Sequence, residues 1–113
     1  MIRVRYHRKA HRLSLQGHAY SGEPGHDLVC ASASILVWTL AAAVDALAAA
    51  RQVTAPELRL EAGDAAVSCK APRRFEAPVT LIFDTICAGF ALLAKNYPDN
   101  ICYRIEKDRR DGF

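Results

Sequence analysis

GHAYSGEPGHDLVCASASIL, Gly17 to Leu36, is the stretch on which the reading of this chain turns. It leaves an alternating segment, crosses a loop rich in Gly and Pro, and enters a long apolar helix. Asp27 is placed as the N-cap, because a short acceptor side chain just before an apolar periodic run can satisfy the free amides of a helix start. Cys30 then falls in the first helical turn, as the third helical residue. Backbone N–H groups there lack intrahelical partners, and the positive end of the macrodipole favours an anion. Such a setting favours a thiolate. A histidine able to pair with it, His18 at the strand end, supplies the minimum for cysteine catalysis. The plain alternative is that a Cys in an apolar helix is a small core residue.

Upstream, Ile2, Val4 and Tyr6 alternate with Arg3, Arg5 and His7, and Leu13 and Leu15 alternate with Arg12, Ser14 and Gln16. Two half-buried strands joined by a turn over His7 to Ala10 form a hairpin. Plain alternation would put His18 with Gln16 on the polar side. Gly17 frees the backbone for a bend at that point, so alternation does not decide where His18 goes. Ala19 to His26 reads as the loop, with Gly22, Pro24 and Gly25 as its turn residues. Tyr20, Gly22, Glu23, Gly25 and His26 are the candidate substrate-loop residues.

Downstream, Leu28 to Arg51 reads as one helix, apolar nearly all round and so packed on more than one side. Ser34 lies one turn after Cys30 on the same face, and it either bonds back to the Cys30 carbonyl or stands near the thiol. Trp38, a turn further, is assigned to the core. Pro56 marks a return to extended chain. Leu58 and Leu60, then Ala65, Val67 and Cys69, alternate with polar residues on either side of a hairpin turn at Ala62–Gly63–Asp64. Ala71 to Glu76 reads as a connector. A second helix runs from about Pro78 to Lys95, with Asn96 and Pro98 as its stop. Cys87 reads as packing within it, and Asp84 as its odd charge. Ile101, Tyr103 and Ile105 make a last strand. The order ββαββαβ predicts an α+β fold: a five-stranded mixed sheet with both helices packed on one face, in a single domain over 1–113.

Gly17-His18-Ala19, an acidic and Gly-containing loop (Glu23, Gly25), and then Asp27, Val29, Cys30, Ala31 and Ser34 resemble the pattern of the Prp family of ribosomal-processing cysteine proteases. The resemblance extends over nearly the whole order of elements. It implies a cysteine endopeptidase with catalytic His18 and Cys30, an oxyanion hole from the backbone N–H groups of Cys30 and Ala31, and Asp27 as helix cap or orienting residue. It further implies a homodimer and a defined substrate. Members of the family remove an N-terminal extension from large-subunit ribosomal protein twenty-seven, cutting after an apolar or aromatic segment and before a basic one. Glu23 and Asp27 are suited to attract that basic flank.

Composition is compatible with this and narrows it. The chain has 113 residues, is 51% hydrophobic and 24% charged, and carries a net charge of +3. No apolar signal-peptide core opens it, and the Ala-rich run from Ile35 to Ala50 is broken by Thr39 and Asp45, so a membrane span is not expected and the cytoplasm is. Cys30, Cys69, Cys87 and Cys102 are widely scattered, with no CxxC. They are expected to be reduced thiols, with no metal and no cofactor. The basic residues near both ends read as solvated faces, with direct RNA contact left open. The competing function is a non-catalytic, dimeric, ribosome-associated binding protein in which Cys30 is a buried structural thiol.

Overall fold

The computed structural model describes residues 1–18 and 26–107, with His26 and Asp27 described in backbone only. The element order is β1 (Ile2–His7), β2 (Arg12–Gln16), α1 (His26–Ala49), β3 (Thr54–Glu61), β4 (Asp64–Lys70), α2 (Arg73–Asn96) and β5 (Ile101–Ile105). One five-stranded sheet has the order β3-β4-β2-β1-β5. Only β1 and β5 pair in parallel. A return from α2 to the far edge supplies that pairing, as a helical crossover can and a hairpin cannot. The expected mixed sheet of five strands is the one observed.

Period-two alternation sets the inner face. Ile2, Val4 and Tyr6 of β1, Leu13 and Leu15 of β2, and Ala65, Val67 and Cys69 of β4 are buried. The registers place them side by side, Val4 against Leu15 and Leu13 against Val67. The helices cover that face with stripes at helical spacing: Val29, Ala33, Val37, Leu40 and Val44 from α1, and Val79, Phe83, Cys87 and Phe90 from α2. α1 packs over β3 and β4, α2 over β5, and the two helices pack on each other. The opposite face of the sheet is polar, with Arg12 and Arg59 paired to Glu57, Arg59 also to Asp64, and Arg5 to Glu106.

The helix boundaries differ from the sequence reading. α2 begins at Arg73, so the expected connector is its first turn, and Pro78 lies inside the helix instead of at its first position. Pro72 caps this start in extended conformation, the Phe75 N–H donates to the Pro72 carbonyl at 2.8 Å, and Phe75 packs against the core. Core packing of that turn outweighs the hydrogen bond that Pro78 cannot make. α1 runs from His26 to Ala49, beginning two residues before the expected Leu28. It closes with the Gln52 N–H donating to the Leu47 carbonyl and the Arg51 N–H to the Ala48 carbonyl, while Arg51 takes a φ of 61°. This is a Schellman ending with a residue other than Gly in the left-handed position. α1 and α2 are each long and apolar enough, by length and composition, to cross a membrane. Here each buries one stripe in the core beneath the sheet. Pro56 is tolerated because β3 is an edge strand.

Candidate active site

The site lies where four chain segments meet at one edge of the helix-bearing face: the start of β1, the end of β2, the β3–β4 turn, and the first turns of α1. The register brings them there. Gln16 of β2 pairs with Asp64 of β4, so the residues just beyond, Gly17 and Gly63, face each other. The Gly17 N–H donates to the Gly63 carbonyl at 2.9 Å, extending the ladder by one rung. On the other side of β2, the backbone nitrogen of Met1 donates to the His18 carbonyl at 2.6 Å.

Gly17 has a φ of 97°, and a Cβ there would collide with the Met1 carbonyl oxygen. Only glycine meets both conditions without strain. This bend breaks the alternation of β2 and takes His18 out of the polar register. A pocket of about 360 Å³ receives it, lined by His18, Cys30, Ser34 and Trp38 together with apolar residues that include Leu15 and Val37. Its volume lies within the range of small-ligand and peptide side-chain sites. His18 and Cys30, twelve positions apart and on different elements, line one cavity on one side of the sheet. A Cys30 thiol turned into the core with His18 on the opposite sheet face would have excluded catalysis, and that is not the arrangement.

The other thiols have other surroundings. Burial pushes the Cys69 thiol up, and burial pushes Cys87 up to about 12, so neither supplies a thiolate near neutral pH. Both are core residues, as their strand and helix patterns predict. Cys102 is exposed and pairs in register with Arg3 on the polar face of the sheet. Among the described cysteines, Cys30 alone lines the pocket with an imidazole. No group of His, Cys, Asp and Glu among the described residues could hold a metal ion.

Several expectations change. Trp38 is not core: it is 55% exposed and forms part of the pocket wall. Ser34 lines the pocket too, beside Cys30 on α1. With α1 starting at His26, Asp27 lies within the first turn instead of capping it, and Cys30 is the fifth helical residue. The amides without intrahelical acceptors are then those of His26, Asp27 and Leu28, a turn ahead of the expected oxyanion donors Cys30 and Ala31. Tyr20, Gly22, Glu23 and Gly25 lie outside the described residues, as do the side chains of His26 and Asp27. Leu60 to Ala65, the β3–β4 turn with its flanking residues, is a wall of the site that local sequence reading missed. Its turn was legible, but its place beside His18 depends on β4 pairing with β2.

A thiol and an imidazole sharing a cleft at a helix start, on an α+β scaffold, define the class: a nucleophilic cysteine enzyme. The family model described as Cysteine protease Prp matches residues 1–102, and the chain belongs to that family. It is a cysteine protease. No curated protein matches the chain. Among solved structures, SMU.848 from Streptococcus mutans is similar at 28% identity, covering 96% of each chain with a TM-score of 0.70. The essential ribosomal processing protease Prp from S. aureus, in complex with a covalently linked product peptide, shares the fold at 23% identity and a TM-score of 0.67, covering 93% of this chain and 97% of its own. The same protease with a substrate peptide gives 21% identity and a TM-score of 0.66, with the same coverage.

Proposed function

We propose that this cysteine protease is a cytoplasmic, homodimeric endopeptidase that removes an N-terminal extension from large-subunit ribosomal protein twenty-seven during ribosome assembly, with Cys30 as nucleophile and His18 as general base and acid. The observation that carries the proposal is the shared pocket of His18 and Cys30. In the first half-reaction the Cys30 sulfur gives its proton to His18 and bonds to the scissile carbonyl carbon. The tetrahedral intermediate collapses as the C–N bond breaks, and His18 returns the proton to the leaving amine. Water, deprotonated by His18, then attacks the thioester and releases the carboxylate and the free thiol. Backbone amides at the start of α1 hold the oxyanion. Asp27 either orients His18 or complements the helix dipole from the first turn.

The pocket chemistry suits a substrate that is apolar before the cut. Val37, Trp38 and Leu60 offer an apolar wall. Ile35, Trp38, Leu81 and Leu92 are exposed on the helices, which supports a second copy covering that layer. A ribosomal processing role has support from the S. aureus protease that shares this fold.

The test is cleavage of a peptide spanning the extension junction. Cys30→Ala and His18→Ala should each fold, and Cys30→Ala should reduce turnover to background, since a nucleophile has no substitute. Cleavage by Cys30→Ala at the wild-type rate would end the reading. Sedimentation at micromolar concentration should show a dimer, and a monomer alone would remove that part of it.

A further inference from the structure

The β3–β4 turn does more than reverse the chain. A Cβ built on Gly63 would lie 2.8 Å from His18 Cε1 and 3.1 Å from Cδ2, and closer still to Nε2. Real Cβ atoms essentially never come within 3.0 Å of such atoms. The imidazole therefore rests on the Gly63 backbone, in space that any side chain would fill. The ring cannot easily shift with its backbone, because that backbone is held on both sides. Gly17, just before it, donates to the Gly63 carbonyl, and the His18 carbonyl accepts from the Met1 nitrogen.

From this packing we infer that Gly63 is a positioning residue for His18: its missing side chain sets where the imidazole stands in the Cys30 pocket. The inference rests on the His18–Cys30 protease reading. The turn alone accounts for only part of the glycine. Gly63 has a φ of 74°, a conformation that Asn also adopts at modest cost. If Gly63 served the turn alone, Asn would do nearly as well. If it also makes room for the ring, Asn keeps the turn and displaces the imidazole. A displacement of about 1 Å at a catalytic group can cost about a hundredfold in rate.

Gly63→Asn should therefore melt within a few degrees of wild type, lose about a hundredfold in kcat, and change KM little. In a His18→Ala background the same substitution should change neither the residual turnover nor the rate at which iodoacetamide alkylates Cys30, because its effect passes through the ring. A kcat for Gly63→Asn within threefold of wild type would overturn the inference. So would an equal loss with and without His18. Should Gly63→Asn fail to fold, NMR on the intact protein decides. The Gly63 Hα resonances should carry a ring-current shift that vanishes in His18→Ala, and resonances that do not move would overturn the inference. Wild-type protein that cleaves no junction peptide but shows this shift would instead defeat the proposed function and leave the packing standing.

Discussion

The two ends of the β1–β2 hairpin carry different side-chain chemistry. At the turn end, polar groups satisfy one another. The Tyr6 hydroxyl donates to Asp84 at 2.8 Å, Arg8 donates to both oxygens of the same carboxylate, and His11 pairs with Thr80 at 2.7 Å. Phe83 stacks on Tyr6 and tilts against His11. At the open end, two glycines in the left-handed region bend the backbone and leave His18 and Cys30 lining a cavity. A depression of about 400 Å³ lies near the turn end as well, lined by His7, Arg8, Lys9 and Lys107 among others. It is as large as the active-site pocket and contains no thiol. Volume does not mark the site. What distinguishes the open end is that a thiol and an imidazole line one cavity there.

Exchanging Cys30 for Cys87 as the mutated thiol is the strongest way to break this comparison. Cys30→Ala should abolish cleavage and leave the melting temperature nearly unchanged. Cys87→Ala should keep cleavage and cost about 1 kcal/mol through lost core packing, read by denaturant titration. Asp84→Ala should come next. It leaves the Tyr6 hydroxyl without its acceptor, a loss of about 1–2 kcal/mol in unfolding free energy with turnover retained. A fall in turnover larger than the fall in stability would tie the turn end to catalysis and erase the contrast.

Trp38→Ala sharpens the other side. Trp38 lines the pocket without contributing to the core, so its removal should raise KM about tenfold and change kcat and stability little. An unchanged KM would remove Trp38 from the substrate wall.

The smallest effect concerns pH. Burial, with Arg8 adding to it and Glu76 and Asp84 opposing, holds the His11 imidazole below its ordinary value. As pH falls below about 6.5 the unfolded chain takes up this proton first, so stability complete above that point declines until folded His11 protonates too. Asp84 is different. The Arg8 guanidinium beside it holds its carboxyl below the usual range, so its contribution persists above that range and fails only in stronger acid. His11→Asn suits the local φ of 48° and should flatten the loss of melting temperature that begins below about pH 6.5, leaving the more acidic transition in place. An unaltered profile would show that His11 does not titrate with folding.

Local pattern determined much of this protein. Period two along Ile2-Val4-Tyr6 and Leu13-Leu15, and helical spacing from Val29 to Val44, mark the core faces, because an element can bury only residues that its own geometry brings to one side. The family is legible for another reason: the spacing of Gly17-His18-Ala19 and Asp27 to Ser34 resembles it, and the chain belongs to it. Tertiary structure alone decided the rest. Nothing near Gly63 in sequence refers to His18. They meet because β4 pairs with β2, a contact between residues more than forty positions apart. Local sequence places Trp38 in the core, but helix rotation against the sheet turns it to the pocket and gives the buried stripe to Val37 and Leu40. The start of α2 was misplaced because Pro78 weighs heavily in local rules, whereas Phe75 stabilises the preceding turn only once a core exists to receive it. Side-chain period is a property of one element. Partner strand, helix rotation and the cost of an interior proline are settled by packing between elements, which no local stretch contains.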